Sequence, residues 1–321
     1  MSAVSFIVPV QEELQAVEAI MREQAQGYHA DLNAALDLII SAGGKRIRPA
    51  LTILAGKMLE GPPDVLLMMA AAIELLHTAT LVHDDLIDGS LLRRGMPTLN
   101  SRWSPGATVL TGDFVFARAA KLAAETGSVP VMRLFAHTLT VIVDGEVNQL
   151  LGSRCKADHQ AYLKRIYAKT ASLFETSALS AGLISEASAE TTAALGRFGY
   201  EVGMAFQIVD DILDFTSDAS TFGKPVGGDL RQGIVTLPAL YWAEMNPNTP
   251  EARALVSGEC LDDERIARLI EAIRSSPAIH KSHAEAVQHV ERGLAHLRSL
   301  PARSERYALE ELANYIVERR F

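Results

Sequence analysis

The sequence is poor in the residues that characterise several large classes of protein. Only two of its 321 residues are cysteine, and aromatic residues make up 6% of the chain. Cys155 and Cys260 match no metal-ligand spacing and indicate no disulfide framework, so we expect reduced thiols and a cytoplasmic protein. Runs of alternating strand-type residues are absent while alanine and leucine abound, which predicts an all-α fold.

The chain also lacks an excess of positive charge and a long uninterrupted apolar run. Its formal net charge of −9 argues against non-specific nucleic-acid binding. No basic segment followed by a long apolar one stands near the start, so we expect no signal peptide. The most apolar stretch, residues 65–82, is interrupted by Glu74 and His77, which predicts a buried helix and no stable membrane anchor.

Helical periodicity dominates the sequence, and breakers rich in glycine and proline divide it into helices of ordinary length. No linker or shift in composition divides the chain, so we predict a single domain over residues 1–321. The segment 222–229 is too rich in glycine for a helix, and we expect a flexible loop there that closes over bound phosphate. An ordinary surface connection is the alternative for this segment.

Two sets of aspartates with the spacing DDxxD carry the main chemical signal. The first triplet is Asp84, Asp85 and Asp88, and the second triplet is Asp210, Asp211 and Asp214. In a helix, positions i and i+4 lie on one face about 6 Å apart, so each triplet holds two carboxylates close together. Carboxylates this close in apolar sequence repel one another, and a bound cation relieves the repulsion.

Oxygen ligands indicate a hard cation, and Mg²⁺ typically binds one or two carboxylates together with substrate phosphates. A single DDxxD is more often a solvated acidic face, but the residues before both triplets are apolar where such a face would be polar. The triplets therefore predict a site for a metal-bound diphosphate. Because they are far apart in sequence, they can meet only across a helical bundle with a deep central cavity.

Further motifs occur in a fixed order around the triplets. They are Gly43-Gly44-Lys45-Arg46-Ile47-Arg48-Pro49, Glu74-Leu75-Leu76-His77, Arg93-Arg94-Gly95, Gly145-Glu146, Lys169-Thr170, Phe206-Gln207, and Gly223-Lys224 leading to Gly228-Asp229-Leu230. Together with the triplets they resemble the trans-polyprenyl diphosphate synthases, a family that includes farnesyl and octaprenyl diphosphate synthases. The resemblance covers most of the chain and implies an isoprenoid synthase-type helical bundle.

The resemblance implies a prenyltransferase that condenses isopentenyl diphosphate with an allylic diphosphate. The allylic substrate loses diphosphate to give a carbocation, the double bond of isopentenyl diphosphate attacks it, and a proton is lost. Neutralising the charge of the diphosphate assists its departure. By the resemblance, the six aspartates of the two triplets bind Mg²⁺ bridged to the allylic diphosphate, and Arg93 and Lys224 contact the same diphosphate.

The second diphosphate must not ionise, so side-chain cations are expected to hold it without the metal. The resemblance assigns this role to Lys45, Arg48, His77 and Arg94. For His77 the alternative is a core histidine, but it lies seven positions before Asp84, two helical turns away on nearly the same face. The resemblance also implies that three polar residues line the cavity near the reacting carbons, namely Lys169, Thr170 and Gln207.

One position departs from the family pattern. Many relatives have a lysine after the glycine that ends the segment Gly-Asp-Leu-Arg-x-Gly, whereas here Gly233 is followed by Ile234. One phosphate contact is therefore expected to be missing. We still expect activity, because both triplets and Lys224 are present.

The product length is expected to depend on residues before the first triplet. In the family, the residues four and five positions before the first aspartate form an early floor of the tunnel for the growing chain. Here they are Thr80 and Ala79, which are small, and Leu76 one turn deeper narrows the tunnel without closing it. These residues predict a long linear product, with geranylgeranyl diphosphate as the shorter alternative. Small residues that merely allow close helix packing are the other interpretation.

Two other functions fit parts of the pattern. A class I terpene cyclase also has DDxxD, but its second metal motif normally mixes Asn or Asp, Ser or Thr, and Glu, and it needs no second diphosphate site. A non-catalytic synthase subunit would have lost one triplet. The resemblance also implies a homodimer, since synthases of this family are usually homodimers.

Overall fold

The structure is a computed structural model that describes residues 5–93, 95–152, 154–216 and 226–319. Helix accounts for 78% of it and strand for about 1%, so the predicted all-α fold is confirmed. The α-helices, in chain order, are α1 Gln11–Glu23, α2 Ala30–Ser41, α3 Ile47–Met58, α4 Pro63–Ile87, α5 Pro105–Glu125, α6 Val129–Leu151, α7 His159–Ile166, α8 Ser172–Ile184, α9 Ala189–Thr216, α10 Gly228–Arg231, α11 Leu237–Met245, α12 Pro250–Ser257, α13 Asp263–Arg274, α14 Ala278–Leu297 and α15 Ser304–Val317.

Short elements complete this list. Ser5–Val10 and Leu99–Ser101 are 3-10 helices, and Tyr167–Ala171 is a π-helical turn between α7 and α8. Strands β1 Leu92–Arg93 and β2 Met96–Pro97 form an antiparallel hairpin in which Leu92 pairs with Pro97. Two-residue strands are too short to produce an alternating pattern, which is why the sequence did not predict them.

The described residues pack as two compact units. The first unit takes its residues from Met1–His137, Leu173–Arg197 and His296–Leu312, and the second unit from Thr138–Ser172, Phe198–Ala295 and Ala313–Phe321. The first triplet belongs to the first unit and the second triplet to the second unit. The single domain over residues 1–321 stays a prediction.

Helix α4 is the central element of the first unit. It begins at Pro63, whose fixed φ suits the first helical position, and it packs against α1, α3 and α5. A Cβ atom on Gly56 of α3 would lie 2.2 Å from a methyl group of Leu66, so glycine is what allows the two helices to approach. Among the described helices, α4 is long and apolar enough to cross a membrane, but 67% of its most apolar window is buried in the protein.

The C-terminal half of α9 supplies the core of the second unit. Val202, Ala205, Ile208 and Ile212 are fully buried on this helix, just before and within the second triplet. The half-buried Glu201 of α9 also accepts a 2.6 Å hydrogen bond from His289 Nδ1 of α14. Apolar packing and this polar contact therefore hold the helix that carries the second triplet.

Two cysteines of the second unit form a disulfide. Cys155 and Cys260 are bonded, with their Cα atoms 5.2 Å apart, so the expectation of reduced thiols without a disulfide is wrong. They meet because the loop after α6 lies against the end of α12, where the amide of Ala157 donates to the carbonyl of Leu255 at 2.7 Å. No local pattern reveals a pairing across 105 positions. Cytoplasmic localisation, which rested partly on reduced thiols, stays a prediction.

The glycine-rich segment after the second triplet is partly helical. Residues 222–225 lie outside the described residues, but Gly228–Arg231 forms α10, so the expectation of a non-helical segment is wrong there. Gly227 adopts a φ of 70° before this turn, a left-handed conformation that suits glycine. The first amides of α10 then bond to the carboxylate of Asp214, which stabilises the helix start.

Candidate active site

The first triplet lies where α4 ends. Asp84 and Asp85 belong to its last turn, and Asp88 is the C-cap, whose amide donates to the carbonyl of Asp84 at 2.8 Å. Gly89 follows with a φ of 63°, which ends the helix. Asp84 is half-buried and Asp88 is exposed, and they are one turn apart as the spacing predicted. Two carboxylates at this end of α4 are therefore placed to share a cation.

The middle aspartate of the first triplet has a different environment. Asp85 is buried, and Arg93 Nε donates to both of its oxygens, at 2.9 and 3.0 Å. Arg93 Nη2 adds a contact of 2.8 Å to Oδ1, so the hairpin carries the arginine back onto α4. This bidentate pair neutralises Asp85 and holds Arg93 beside the triplet. Contact between Arg93 and a diphosphate stays a prediction.

The basic segment before α3 is organised around Arg46, a residue for which the sequence indicated no separate role. Arg46 adopts a left-handed conformation with φ 46°, and its guanidinium donates to Glu18, to Glu74 and to the carbonyl of Ile40. Burial by itself lowers the pKa of Arg46, but the two carboxylates outweigh it and raise the pKa. Arg46 therefore stays charged and ties the segment to α1, α2 and α4.

Two of the cations assigned to the second diphosphate, Lys45 and Arg48, lie close to Arg46 in the chain. Lys45 is exposed, and Arg48 is half-buried with its guanidinium 4.7 Å from the ring centre of Phe174. His77 lines a cavity of the first unit together with Asp85, Arg93 and Arg46. The structure thus brings His77 to the same cavity as Asp85 of the first triplet, and its role as a diphosphate ligand stays a prediction. Arg94 lies outside the described residues, as does Lys224.

The three residues proposed to set chain length lie on α4. Ala79 and Leu76 are buried, with 2% and 0% of their surface exposed. Thr80 is half-buried, and its hydroxyl donates to the carbonyl of His77 at 2.8 Å. The small volume at positions 79 and 80 is therefore inside the protein, while their contact with a growing chain stays a prediction.

The second triplet contains one deeply buried carboxylate. Asp211 accepts hydrogen bonds from the hydroxyl of Tyr162 at 2.9 Å and from Nε2 of Gln207 at 2.8 Å. The Oε1 atom of Gln207 in turn accepts from the hydroxyl of Thr170 at 2.6 Å. Burial, together with the nearby carboxylate of Asp229, raises the pKa of Asp211 to about 8. Asp211 therefore anchors a polar chain that reaches Thr170.

The outer aspartates of the second triplet have partners of other kinds. Arg319 Nη1 donates to Asp210 at 2.7 Å, and its Nη2 atom donates to the carbonyl of Phe206 at 3.2 Å. Asp214 accepts from the amides of Gly228 and Asp229, at 3.1 and 3.3 Å. Both carboxylates are half-buried, so solvent and ligands reach them. Arg319 and Tyr162 were missed at the sequence level, because neither belongs to a motif and both are distant in sequence.

Lys169 and Thr170 lie in the π-helical turn, a feature often found at functional sites. Lys169 Nζ forms a 2.9 Å ion pair with Glu146 of α6. The neighbouring Gly145 allows this approach, since a Cβ atom there would lie 2.4 Å from Cβ of Ala168. The motifs Gly145-Glu146 and Lys169-Thr170 therefore contact each other.

The donor set fits a hard divalent cation. No group of three or more His, Cys, Asp or Glu side chains forms a complete metal cluster within the described part of the chain. Each triplet instead offers two accessible carboxylates, Asp84 with Asp88 and Asp210 with Asp214. Cations such as Mg²⁺ bind to one or two carboxylates and complete their shell with water and phosphate oxygens.

The chain belongs to the polyprenyl synthetase family, whose profile matches residues 29–273. Members of this family are prenyltransferases that use a divalent metal.

Curated relatives and solved structures support this membership over nearly the whole chain. The chain is 38% identical over 309 residues to heptaprenyl diphosphate synthase component 2 of Geobacillus stearothermophilus, with 96% of each chain covered. It is 34% identical over 316 residues to octaprenyl diphosphate synthase of Escherichia coli, again with 96% of each covered. The crystal structure of a polyprenyl synthase from Caulobacter crescentus, complexed with calcium and isoprenyl diphosphate, is similar with a TM-score of 0.91 at 34% identity, covering 100% of this chain and 98% of that one.

Proposed function

We propose that the protein condenses isopentenyl diphosphate with an allylic diphosphate, head to tail, to make a long linear polyprenyl diphosphate. The observation that carries the proposal is the integrity of both triplets. Each has two accessible outer carboxylates and a buried middle carboxylate held by protein donors. A non-catalytic subunit has no need for two such arrangements, and a terpene cyclase has no need for the basic segment around Arg46.

The outer aspartates Asp84, Asp88, Asp210 and Asp214 are the proposed ligands of Mg²⁺. Bound there, the metal would supply positive charge that neutralises the departing diphosphate. Asp85 and Asp211 have a different role, since they are buried, unlike the outer aspartates, and are held by Arg93 and by Tyr162 with Gln207. They keep the ends of the two helices in position, so that the outer carboxylates need little rearrangement on binding.

Side-chain cations orient the two substrates. We assign Arg93 and Lys224 to the allylic diphosphate, and Lys45, Arg48, His77 and Arg94 to isopentenyl diphosphate, following the family resemblance. Arg93 is held beside the first triplet by Asp85, and Arg48 is restrained by Phe174. Ordered cations lose little entropy when a diphosphate binds, which favours affinity.

The hydrogen-bonded chain through Thr170, Gln207 and Asp211 stabilises the carbocation. Gln207 donates to Asp211 and accepts from Thr170, so its amide orientation is determined by its neighbours. A fixed dipole stabilises developing positive charge without reorganising during the reaction. Lys169 adds no net positive charge near the carbocation, because Lys169 forms an ion pair with Glu146. The proton lost from the product goes to the departing diphosphate.

A long product is supported by two independent observations. The side chains at positions 79 and 80 of α4 are small. The relatives named above are a heptaprenyl and an octaprenyl diphosphate synthase. Geranylgeranyl diphosphate is the shorter alternative, and several structural neighbours are synthases of that product.

The experiment incubates purified protein with isopentenyl diphosphate, Mg²⁺ and, separately, geranyl, farnesyl or geranylgeranyl diphosphate. Mass spectrometry measures product length, with Asp84→Ala as the inactive control and Asp37→Ala, on the exposed surface of α2, as the matched active control. A long linear product that disappears only in Asp84→Ala supports the proposal. No elongation with any primer would reject it, and a cyclised hydrocarbon would identify a terpene cyclase.

We further propose a homodimer. Val143, Val147, Leu150 and Leu151 of α6 are 51%, 45%, 41% and 83% exposed and recur on one helical face. An exposed apolar stripe of this kind is typical of a protein interface. Light scattering after size exclusion tests this, with Val147→Lys expected to give monomers. A protein that is monomeric alone but active only with a second polypeptide would indicate a heteromer, as the name "component 2" of one relative suggests for that relative.

A further inference from the structure

The disulfide lies against the segment that holds Asp214. Cys155 donates its amide hydrogen to the carbonyl of Gly233 at 2.7 Å. Gly233 is the residue at which the turn after α10 ends, and a Cβ atom there would lie 3.0 Å from Sγ of Cys155. The covalent link and the segment after the second triplet are therefore in direct contact.

Hydrogen bonds continue from this contact to the metal-binding carboxylate. The amide of Gly233 donates to the carbonyl of Leu230 at 3.0 Å, and the amide of Ile234 donates to that of Asp229 at 2.9 Å. The amide of Asp229 then donates to Oδ2 of Asp214 at 3.3 Å. A displacement of Gly233 is thus passed to Asp214 through a single short turn.

The backbone of Cys155 needs an external restraint to keep this geometry. Its φ is 65°, in the left-handed region that is unfavourable for residues other than glycine. The bond to Cys260 ties the side chain of Cys155 to the loop before α13. Without this tie, the residue is expected to relax toward negative φ and to lose its hydrogen bond to Gly233.

The disulfide is also accessible to a reductant. Cys260 is exposed while Cys155 is 8% exposed, and both line a surface cavity with Arg154, Arg231 and Glu259. An incoming thiolate therefore reaches the sulfur of Cys260 first and releases Cys155. Nearby basic side chains favour thiolates, which are the reacting species in thiol–disulfide exchange.

We propose that Cys155 and Cys260 form a reversible thiol–disulfide site whose oxidised form positions Asp214. The co-reactant is a dithiol. One of its thiolates attacks Sγ of Cys260, the bond between the cysteines breaks, and the Cys155 thiolate takes up a proton. The second thiol of the reductant then displaces Cys260, so that two electrons and two protons reach the cysteines while the reductant becomes a disulfide. The metal-binding role of Asp214 rests on the proposed function, whereas the redox chemistry and the order of the segment do not.

Amide hydrogen exchange measured by mass spectrometry tests the inference on the intact protein. Peptides that cover residues 226–235 should exchange at least several-fold faster after treatment with dithiothreitol, while peptides from α4 remain unchanged. The double variant Cys155→Ser/Cys260→Ser should exchange fast with or without dithiothreitol. Equal exchange in the oxidised and reduced wild-type protein would overturn the proposal, as would free thiols at both positions after air oxidation.

A second readout addresses the metal. Mg²⁺ with inorganic diphosphate should raise the melting temperature of the oxidised protein by more than that of the reduced protein. The double variant should resemble the reduced protein under both conditions. If the oxidised and reduced forms respond equally, the disulfide does not position Asp214. Loss of prenyl transfer in every form, with redox-dependent exchange retained, would reject the proposed function and leave the thiol–disulfide site intact.

Discussion

The hydroxyl of Tyr162 donates a 2.9 Å hydrogen bond to Oδ2 of Asp211, and both side chains are buried. The bond joins α7 to the middle of the second triplet. Because Asp211 has a second donor in Gln207, its side chain is held from two sides. The residues that prepare the site thus include one that carries no family motif.

Replacing Tyr162 by Phe should leave Oδ2 of Asp211 without this donor. An unsatisfied buried acceptor costs about 1–3 kcal/mol, so the free energy of unfolding should fall by about that amount. We expect kcat to fall as well. The KM values should change little, because the side-chain cations assigned to the two diphosphates do not take part in this hydrogen bond. Denaturant unfolding and steady-state kinetics measure both. Tyr307→Phe, at an exposed position of α15, is the control; equal losses in the two variants would contradict a specific role for Tyr162.

The raised pKa of Asp211 predicts how stability depends on pH in metal-free protein. The pKa is about 8 in the folded protein against an ordinary value of 3.8, so the folded state binds a proton that the unfolded state has released. The stabilisation is complete below about pH 4 and is lost as the pH rises toward 8, by at most about 1.4 kcal/mol for each pH unit. Asp211→Asn should flatten this part of the stability profile. A profile unchanged in Asp211→Asn but flattened in Asp210→Asn would show that the proton belongs to another group.

The pairing of Arg319 with Asp210 predicts a competition with the metal. A guanidinium 2.7 Å from a carboxylate oxygen repels a cation at the same group, so Arg319→Gln should lower the Mg²⁺ concentration needed to stabilise the protein. Since Asp210 is 38% exposed, the pair contributes at most about 1 kcal/mol, and the expected shift is about fivefold or less. Thermal melts over a Mg²⁺ titration measure it. Arg303→Gln, which removes a surface pair with Glu60, is the control and should not shift the titration.

Arg46 should be essential for the basic segment. Arg46→Met leaves the buried Glu74 without its partner, which costs about 3–5 kcal/mol of stability. The double variant Arg46→Met/Glu74→Leu should recover much of that stability, because it removes the uncompensated charge. The KM for isopentenyl diphosphate should be higher than in the wild-type protein in both variants, because the segment that carries Lys45 and Arg48 is no longer held by Arg46. A double variant with normal KM would show that Arg46 serves stability alone.

The small residue at position 79 should control product length. Ala79→Phe adds a large ring at a position that is 2% exposed, and it should shorten the product to about the farnesyl or geranylgeranyl length. Mass spectrometry of the products measures the change, and Ala79→Ser is the conservative control. A long product from Ala79→Phe, in a protein that remains folded by circular dichroism, would place the tunnel elsewhere.

Features that depend on neighbours in sequence were predicted correctly. The all-α fold follows from composition and periodicity, and the spacing of each triplet places its outer carboxylates on one helical turn. Glu74 and His77 interrupt the most apolar stretch, and this pattern correctly predicted that α4 is a buried helix. These properties arise from contacts within a few residues, which the order of residue types determines directly.

Features that depend on distant contacts needed the tertiary structure. The sequence by itself determined the helices, the two triplets and the basic segment, and through them the family and its chemistry. Only the folded chain decided that Asp210 pairs with Arg319, that Tyr162 holds Asp211, and that Cys155 bonds to Cys260. Each of these contacts closes a long loop, and its formation depends on the packing of whole helices, which no local pattern of residues encodes.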